Sequence, residues 1–179
     1  MAERLKILYN NISSTLIKEF AYTNLHQVPK IKKISINRCL GLNANNTNIL
    51  KKSILELSLI TGQMPTITKV KKAVAGFKIR EDMNIGVCIT LRKNKMYSFL
   101  DKLININLPQ IRDFRGISSK KFDKNGNFNF GIQEQLIFPE INYEDIDHIR
   151  GYNITIVLTG KTKIENKALL LALGFPFND

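Results

Sequence analysis

Residues 61–91 read TGQMPTITKVKKAVAGFKIREDMNIGVCITL and contain a turn, two strand patterns and a basic loop. Gly62 and Pro65 stop the helical pattern before them, and the β-branched run Thr66–Val70 predicts a strand directly afterwards. Residues 84–91 predict a second strand, because Ile85, Val87, Ile89 and Leu91 alternate with Gly86, Cys88 and Thr90. One face of this strand is therefore expected to pack on helices, while the other offers small and polar groups to a partner.

The loop between these two strands carries positive charge. It contains Lys71, Lys72, Lys78 and Arg80, and no acidic residue interrupts the span from Thr61 to Arg80. The whole chain has 27 Lys and Arg against 15 Asp and Glu, a formal charge of +12. Such an excess of positive charge informs about binding partners rather than about the fold. The partner could be a nucleic acid, an anionic membrane surface or an acidic protein, or the charges could form a solvated face without a partner. For a chain of this size we favour nucleic acid, because clustered lysines attract a phosphate backbone.

Helical and strand patterns alternate along the rest of the chain. Helical spacing is found at residues 5–20, 47–61, 95–108 and 167–173, with Asn46 or Thr47 as a cap of the second helix and Pro109 ending the third. Further strands are predicted at residues 34–37, 128–132, 136–138 (an extension of the preceding strand) and 154–158, the last fully buried, with a helical turn near Ile146 and Ile149. An Asn125-Gly126 hairpin signal precedes Phe128. The prediction is an α+β fold, a two-layer domain whose largely antiparallel sheet has helices covering one face.

Length and composition indicate one folded unit. The chain has 179 residues, 44% of them hydrophobic and distributed from Leu5 to Phe177 without a linker. We expect a single domain over residues 1–179, with a protruding basic loop at about 71–83. The N-terminus resembles neither a secretory signal nor a transit peptide, and no apolar segment is long enough to span a bilayer. Cys39 and Cys88 fit free thiols in a reducing compartment, and no membrane partner is expected.

The motifs of catalysis and metal binding are absent or incomplete. Gly160-Lys161-Thr162 ends like a phosphate-binding loop, but Thr155 stands where that loop requires a glycine. His26 and His148 are isolated, and three Asn-x-Ser/Thr matches at Asn11, Asn45 and Asn153 lack any sign of secretion. The acidic cluster is interpreted as a solvated helix start; it comprises Glu140, Glu144, Asp145 and Asp147. We therefore predict no enzyme activity, no cofactor, no metal site and no small-molecule substrate.

Five long segments carry a family resemblance over almost the whole chain. They are AYTNLHQVPKIKKISINRCLG, ITGQMPTITKVKKAVAGFKIRE, MYSFLDKLININLPQIRDFRG, FDKNGNFNFGIQEQLIFPEI and RGYNITIV. In order and without large gaps, they closely resemble the family of the large-subunit ribosomal protein five, of bacterial or plastid type. The resemblance implies a structural protein that anchors 5S ribosomal RNA in the central protuberance. The implied partners are 5S rRNA, large-subunit rRNA, peptidyl-site tRNA and neighbouring ribosomal proteins.

The same resemblance assigns roles to particular residues. It implies 5S contacts from Asn37, Gln63, Thr90 and Arg92. Supporting contacts to the RNA backbone are implied for Lys32, Lys33 and Lys69. It also implies a tRNA-facing loop, which consists of Lys71, Lys72, Ala73, Val74, Ala75, Gly76, Phe77, Lys78 and Arg80. The residue types suit these roles, since amides and hydroxyls bond 2′-hydroxyls and base edges while lysines neutralise phosphates. The alternative to RNA binding for any single lysine is a solvated charge. For Asn37 and Gln63 the alternative is a side chain that caps a turn or the end of a strand.

Four positions depart from the family pattern. Cys39 stands where the family commonly has glycine, so any unusual backbone angle at this residue must be tolerated or relaxed. Lys93 also replaces a common glycine. Gln110 and Gly160 replace an expected Arg and Ala. None of the four removes a predicted polar contact, and Lys93 adds a positive charge.

Two other classes of function and two compartments stay open at this point. A nucleic-acid or phosphoryl-transfer enzyme would use the basic loop as a substrate clamp, and an RNA chaperone would discriminate little between RNAs. The bias towards Lys, Asn and Ile is expected of an A+T-rich genome and favours a ribosome in the plastid (chloroplast) stroma. A bacterial cytoplasm is the alternative.

Overall fold

The computed structural model describes the backbone of residues 2–178 and their side chains except those of Ala2, Glu3 and Asp145. The elements in chain order are α1 (Ala2–Glu19), β1 (Ile31–Cys39), α2 (Thr47–Thr61), β2 (Thr66–Lys69), β3 (Asn84–Leu91), α3 (Lys93–Lys102), β4 (Ile117–Ser118), β5 (Phe128–Ile132), β6 (Tyr152–Leu158), α4 (Lys163–Ala172) and β7 (Phe177–Asn178).

Five of the strands form one sheet, which is mostly antiparallel and has the order β2-β3-β1-β6-β5. β2 and β3 pair antiparallel, with Thr66 opposite Cys88 and Thr68 opposite Gly86. The short strands β4 and β7 pair separately and in parallel. Together with the four α-helices, this arrangement confirms the predicted α+β class.

The described residues divide into two compact units. The inner unit comprises Ser35–Thr90 and Gly131–Ile154, and the terminal unit comprises residues 2–34, 91–130 and 155–178. Whether the chain unfolds as the single domain expected from its composition stays a prediction.

In the inner unit, local signals at both ends of α2 set its length. The Asn46 side chain accepts a hydrogen bond from the Asn48 amide at 3.1 Å, and Gly62 ends the helix in the left-handed conformation with φ of 66°. Leu50, Leu57 and Ile60 are buried on one face of this helix. The predicted caps are therefore confirmed at residue level.

In the terminal unit, α1 packs against α3 and α4. A cluster of aromatic rings fills another part of this unit, with ring centroids 4.8 to 6.1 Å apart, formed by Phe122, Phe128, Phe130, Phe175 and Phe177. The predicted hairpin is confirmed, because Phe122 and Phe128 form an antiparallel bridge around Gly126, which has φ of 79°. Asp123 organises this turn by accepting from the Asn125 and Asn127 amides at 2.9 and 2.7 Å. Partial burial opposes the charge of this carboxylate, but these hydrogen bonds prevail and lower its pKa.

Three predictions between Gln135 and Leu158 are wrong. Leu136–Phe138 does not extend β5, because Gln135–Ile137 form a 3₁₀ turn in which the Gln135 side chain is buried and hydrogen bonded. The helical turn expected near Ile146 lies earlier, at Tyr143–Asp145. β6 is not buried throughout, since its side chains alternate between buried and more exposed positions.

Two helix boundaries also differ from the prediction. α3 begins at Lys93 and continues through a π-helical turn at Leu103–Asn107 into a 3₁₀ turn at Leu108–Gln110. Pro109 therefore lies in the first turn of that 3₁₀ segment, where its missing N–H is tolerated. α4 begins at Lys163, because the Thr162 hydroxyl accepts from the Glu165 amide at 3.3 Å and caps it.

The longest helix between residues 2 and 178 is too polar to be a membrane span, and the shorter ones fall below the length required.

Candidate RNA interface

The inner unit has an open sheet face with polar and small side chains. On β1, Asn37 and Cys39 are exposed while Ile36 and Arg38 are buried, as expected of alternating strand residues. On β3, Val87 and Ile89 are buried while Cys88 and Thr90 are half-buried. The division predicted for β3 is confirmed from Val87 to Leu91, whereas Ile85 is only half-buried and Gly86 is buried.

β1 and β3 approach each other closely at one end of this face. The Leu40 amide donates to the Ile85 carbonyl at 2.9 Å, and a Cβ added to Gly86 would lie 2.3 Å from the Arg38 carbonyl oxygen. A glycine is therefore required at residue 86, because any larger residue would push the two backbones apart.

Gln63 is brought directly onto this face. The Thr61 hydroxyl donates to the Leu57 carbonyl at 2.7 Å, and the Gln63 Nε2 donates to the Thr90 carbonyl at 3.3 Å. Gln63 uses one amide hydrogen for this bond, so its side chain retains a second amide hydrogen and a carbonyl oxygen for a partner. The structure thus joins two of the residues that the resemblance selected, although they are 27 positions apart.

The other predicted contacts are more dispersed. In the inner unit Asn37 is exposed on β1, and Lys69 is exposed at the end of β2, where the register with β3 is irregular. In the terminal unit Arg92 is exposed between β3 and α3, Lys32 is exposed and Lys33 is half-buried. Lys32 and Lys33 are consecutive strand residues and point to opposite faces, so they do not form one patch.

The basic loop folds on itself. Val74 and Ile79 form a bridge with N···O distances of 3.0 and 3.2 Å, which encloses a 3₁₀ turn at Ala75–Phe77. At its base the Val70 amide donates to the Met83 carbonyl at 2.9 Å. The positively charged residues of the loop are all exposed and are Lys71, Lys72, Lys78 and Arg80. Phe77 is 71% exposed at the turn, so an aromatic face accompanies the four positive charges.

The four departures from the family pattern have different structural consequences. Cys39 ends β1 in the ordinary extended conformation, so no unusual angle has to be tolerated there. Lys93 has φ of 51°, a left-handed angle that explains why glycine is common at this position. A Cβ on Gly160 would lie 2.2 Å from Asn166 Oδ1, so the glycine makes room for that buried amide. Nothing in the structure explains Gln110.

Sequence reasoning missed a buried polar network behind the open face. Arg38 is fully buried, and its guanidinium donates to Glu56 on α2 and to Gln135. It also lies over the Tyr152 ring, 4.6 Å from the centroid. Burial raises the pKa of the Tyr152 hydroxyl, and the nearby Arg38 charge only partly opposes this shift. The signal that could have revealed Arg38 is its position between Ile36 and Leu40 in the buried row of β1.

The acidic cluster does not form a catalytic pair among the side chains that are described. Asp147 pairs with Lys52 of α2, and the hydrogen bond from Lys52 lowers the Asp147 pKa. Glu140 is half-buried and Glu144 exposed, whereas the Asp145 side chain lies outside the described residues. Within that described set, no three His, Cys, Asp or Glu side chains are grouped as metal ligands.

Comparison with known proteins identifies the family to which the chain is similar. Residues 24–80 match the profile of ribosomal protein L5, and residues 84–177 match that of the ribosomal L5P family C-terminus. Large ribosomal subunit protein uL5 of Picosynechococcus sp. is 57% identical over 180 residues, which cover 100% of this chain and 99% of the relative. The corresponding protein uL5c of Gracilaria tenuistipitata var. liui is 58% identical over 178 residues, or 99% of each chain. Protein uL5c of Cyanophora paradoxa is 54% identical over 178 residues, covering 99% of this chain and 98% of the relative.

Members of this family are structural components of the ribosome and not enzymes, which confirms the predicted absence of enzyme activity. Their partners are rRNA and ribosomal proteins of the large subunit. The chain belongs to the ribosomal protein L5 family, of bacterial or plastid type, and is a structural constituent of the large ribosomal subunit.

Proposed function

We propose that this protein anchors 5S rRNA in the central protuberance through the open sheet face of its inner unit. The observation that carries the proposal is the hydrogen bond from the Gln63 side chain to the Thr90 backbone carbonyl, which holds the Gln63 amide beside β3 at a half-buried position. RNA offers 2′-hydroxyls and base edges in a shallow groove, and these groups bond amides and hydroxyls well. Asn37 adds a second amide on the same unit.

The positive charges of this interface supply affinity rather than selectivity. Lys69 is exposed at the end of β2, and Arg92, Lys32 and Lys33 offer further cations in the terminal unit. Each lysine that neutralises a phosphate releases a counterion, which makes binding dependent on salt. The amides and hydroxyls then distinguish the 5S site from other RNA.

The basic loop from Lys71 to Arg80 is the proposed contact with peptidyl-site tRNA. Its four cations are exposed, and its backbone bonds across Val74 and Ile79 hold the turn together without help from the polar face. Exposed Phe77 can stack on an unpaired base, as aromatic side chains do in other RNA-binding proteins. The protein thereby has separate groups for the two RNAs.

Binding to 5S rRNA across a salt series tests the first part. We expect the protein to bind 5S rRNA more tightly than a control RNA of equal length at near-physiological salt. Gln63→Ala should weaken 5S binding by roughly five- to tenfold, the loss of about one hydrogen bond, without changing the salt slope. Lys69→Ala should reduce that slope by about 0.7 to 0.9, one phosphate contact. Equal affinity of the wild-type protein for both RNAs would contradict specific binding and favour an RNA chaperone.

Replacement of the loop cations tests the second part. Exchanging Lys71, Lys72, Lys78 and Arg80 for alanine should leave 5S affinity nearly intact. In subunits reconstituted with the variant, occupancy of the peptidyl site by tRNA should fall, because four exposed positive charges are removed. A matched control interchanges Lys and Arg at the four positions and keeps the charge. Loss of 5S binding in the alanine variant would refute the proposed separation of the two contacts.

We further propose that the host ribosome is that of a plastid. The composition rich in Lys, Asn and Ile supports this, while the relatives include both cyanobacterial uL5 and plastid uL5c. The location of the gene, on a plastid genome or a bacterial chromosome, tests the proposal.

A further inference from the structure

We infer that Asn153 and Gly131 extend the RNA-binding face of the inner unit onto β6 and β5. Asn153 is a specificity-determining residue there, and Gly131 leaves room for a nucleotide beside it. This role rests on the proposed 5S function. It involves two residues that neither the charge pattern nor the family resemblance selected.

Asn153 lies on the same face of the sheet as Asn37. β6 is the direct neighbour of β1, and the Arg38 guanidinium lies over the Tyr152 ring, 4.6 Å from its centroid. Arg38 and Tyr152 are both buried and therefore share the packed face. Because successive strand residues alternate between faces, their neighbours Asn37 and Asn153 point to the open face, and both are exposed.

The Asn153 amide is available to a partner outside the protein. Among the described residues, none is hydrogen bonded to this side chain. Other asparagines are held internally: Asn166 Nδ2 donates to the Gly126 carbonyl at 3.0 Å, and Asn129 Oδ1 accepts from the Thr155 hydroxyl at 2.7 Å. Asparagine is also unfavourable in strands, so the fold alone gains nothing from it at this position. Its carbonyl oxygen and two amide hydrogens are left for an external contact.

Gly131 lies next to Asn153 on β5, and the fold does not require a glycine there. Its strand backbone has no left-handed angle, and an added Cβ would meet Asn153 Oδ1 at 3.4 Å, an ordinary contact. Gly86 and Gly151 differ, because a Cβ on either would lie 2.3 Å from a backbone carbonyl oxygen. A glycine inside a strand weakens it and often marks a place where a ligand approaches closely. Since Gly131 is exposed, the approaching group comes from outside the protein.

The chemistry of this part of the face fits the sugars and bases of an RNA rather than its phosphates. The outward residues of β1, β5 and β6 in the inner unit are uncharged and are Ser35, Asn37, Cys39, Gly131 and Asn153. With no carboxylate among them, the face does not repel RNA, and with no cation it does not hold a phosphate. An amide bonds 2′-hydroxyls and base edges, and the missing side chain at Gly131 lets a nucleotide lie close to the backbone. Asn153 therefore contributes selectivity and leaves the salt dependence unchanged.

Two single substitutions test this role through binding to 5S rRNA across a salt series. Asn153→Ala removes the amide and should weaken binding roughly five- to tenfold, about the loss of one hydrogen bond, at an unchanged salt slope. Gly131→Ala places a methyl group in the path of the nucleotide and should weaken binding roughly fivefold or more. Thermal unfolding of both variants should show a midpoint equal to or above that of the wild type. Weaker binding at undiminished stability is a result that a purely structural role does not give.

Asn142→Ala is the matched control. Asn142 is also exposed in the inner unit, but it lies outside the sheet and makes no side-chain bond to the turn that follows it. This variant should bind 5S rRNA as the wild type does. An equal loss of affinity in Asn142→Ala and Asn153→Ala would overturn the inference, because any exposed asparagine would then have the same effect.

The remaining outcomes separate this inference from the proposed function. If the wild type prefers 5S rRNA and both Asn153→Ala and Gly131→Ala bind it equally well, the face ends at β1 and only the inference fails. A salt slope reduced by about one in Asn153→Ala would also overturn it, since a phosphate contact would then have been lost. If the wild type shows no preference for 5S over a control RNA of equal length, the proposed function fails and the inference with it.

Discussion

Replacing Glu56 by alanine is expected to lower the free energy of unfolding by about 3 to 5 kcal/mol. Glu56 is only 7% exposed and is the carboxylate that pairs with fully buried Arg38. Its removal would leave a guanidinium inside the inner unit without an opposite charge, and arginine cannot escape by losing its proton. Urea denaturation followed by circular dichroism measures the loss as a lower midpoint at unchanged slope.

Two controls separate this effect from a general loss of packing. The double variant Arg38→Met and Glu56→Leu should be close to the wild type in stability, because replacing a buried pair by apolar residues of similar volume is often neutral. Lys52→Ala breaks the exposed pair with Asp147 and should hardly change the midpoint. If Glu56→Ala were no worse than Lys52→Ala, Arg38 would not depend on its buried partner.

Much of the fold could be predicted because its signals are local. Asn46 and Gly62 bound α2 through bonds to their own neighbours, and the alternation of residues 87–91 gives β3 its two faces. The Asn125-Gly126 turn is likewise determined within five residues by Asp123. In each case the structure needs no information from a distant segment.

The error at Leu136–Phe138 arises where a distant partner decides, whereas the missed start of α4 had a local signal in the Thr162 cap. Leu136–Phe138 has an apolar strand pattern, but Gln135 is drawn into the bonds with Arg38 and the His148 carbonyl, which bends the chain into a turn. Arginine is usually a surface residue, and Arg38 is buried only because Glu56 and Gln135 accept hydrogen bonds from its guanidinium. The periodicity of apolar residues along the sequence does not reveal such contacts between segments far apart in the chain.

The candidate site likewise has some features that the sequence predicts and others that only the structure reveals. The basic loop could be found from charge alone, whereas its folding around Val74 and Ile79 is visible only in the structure. Gln63 and Thr90 came from the family resemblance, and the structure supplies the hydrogen bond that joins them. Lys32 and Lys33 were grouped by their place in the chain, although strand geometry directs them to opposite faces.

Gly86→Ala is expected to destabilise the protein by about 3 kcal/mol, at the upper end of the range for overpacking. The added Cβ would lie 2.3 Å from the Arg38 carbonyl oxygen and 3.2 Å from the Cys39 Cα. Both obstacles are backbone atoms, which cannot rotate away as a side chain does, so β1 and β3 must separate. Thermal and urea unfolding of the variant measure the loss.

Gly131→Ala is the matched control in the same unit. Gly131 is also a strand residue, but a Cβ there would meet the Asn153 side chain at 3.4 Å, an ordinary contact. This substitution should be neutral or stabilise by up to about 1 kcal/mol, since alanine restricts the unfolded chain. Equal stability of the two variants would contradict the close approach of β1 and β3. If Gly86→Ala alone is destabilised, its remaining folded fraction should also bind 5S rRNA more weakly, because the same approach sets the spacing between Asn37 and Thr90.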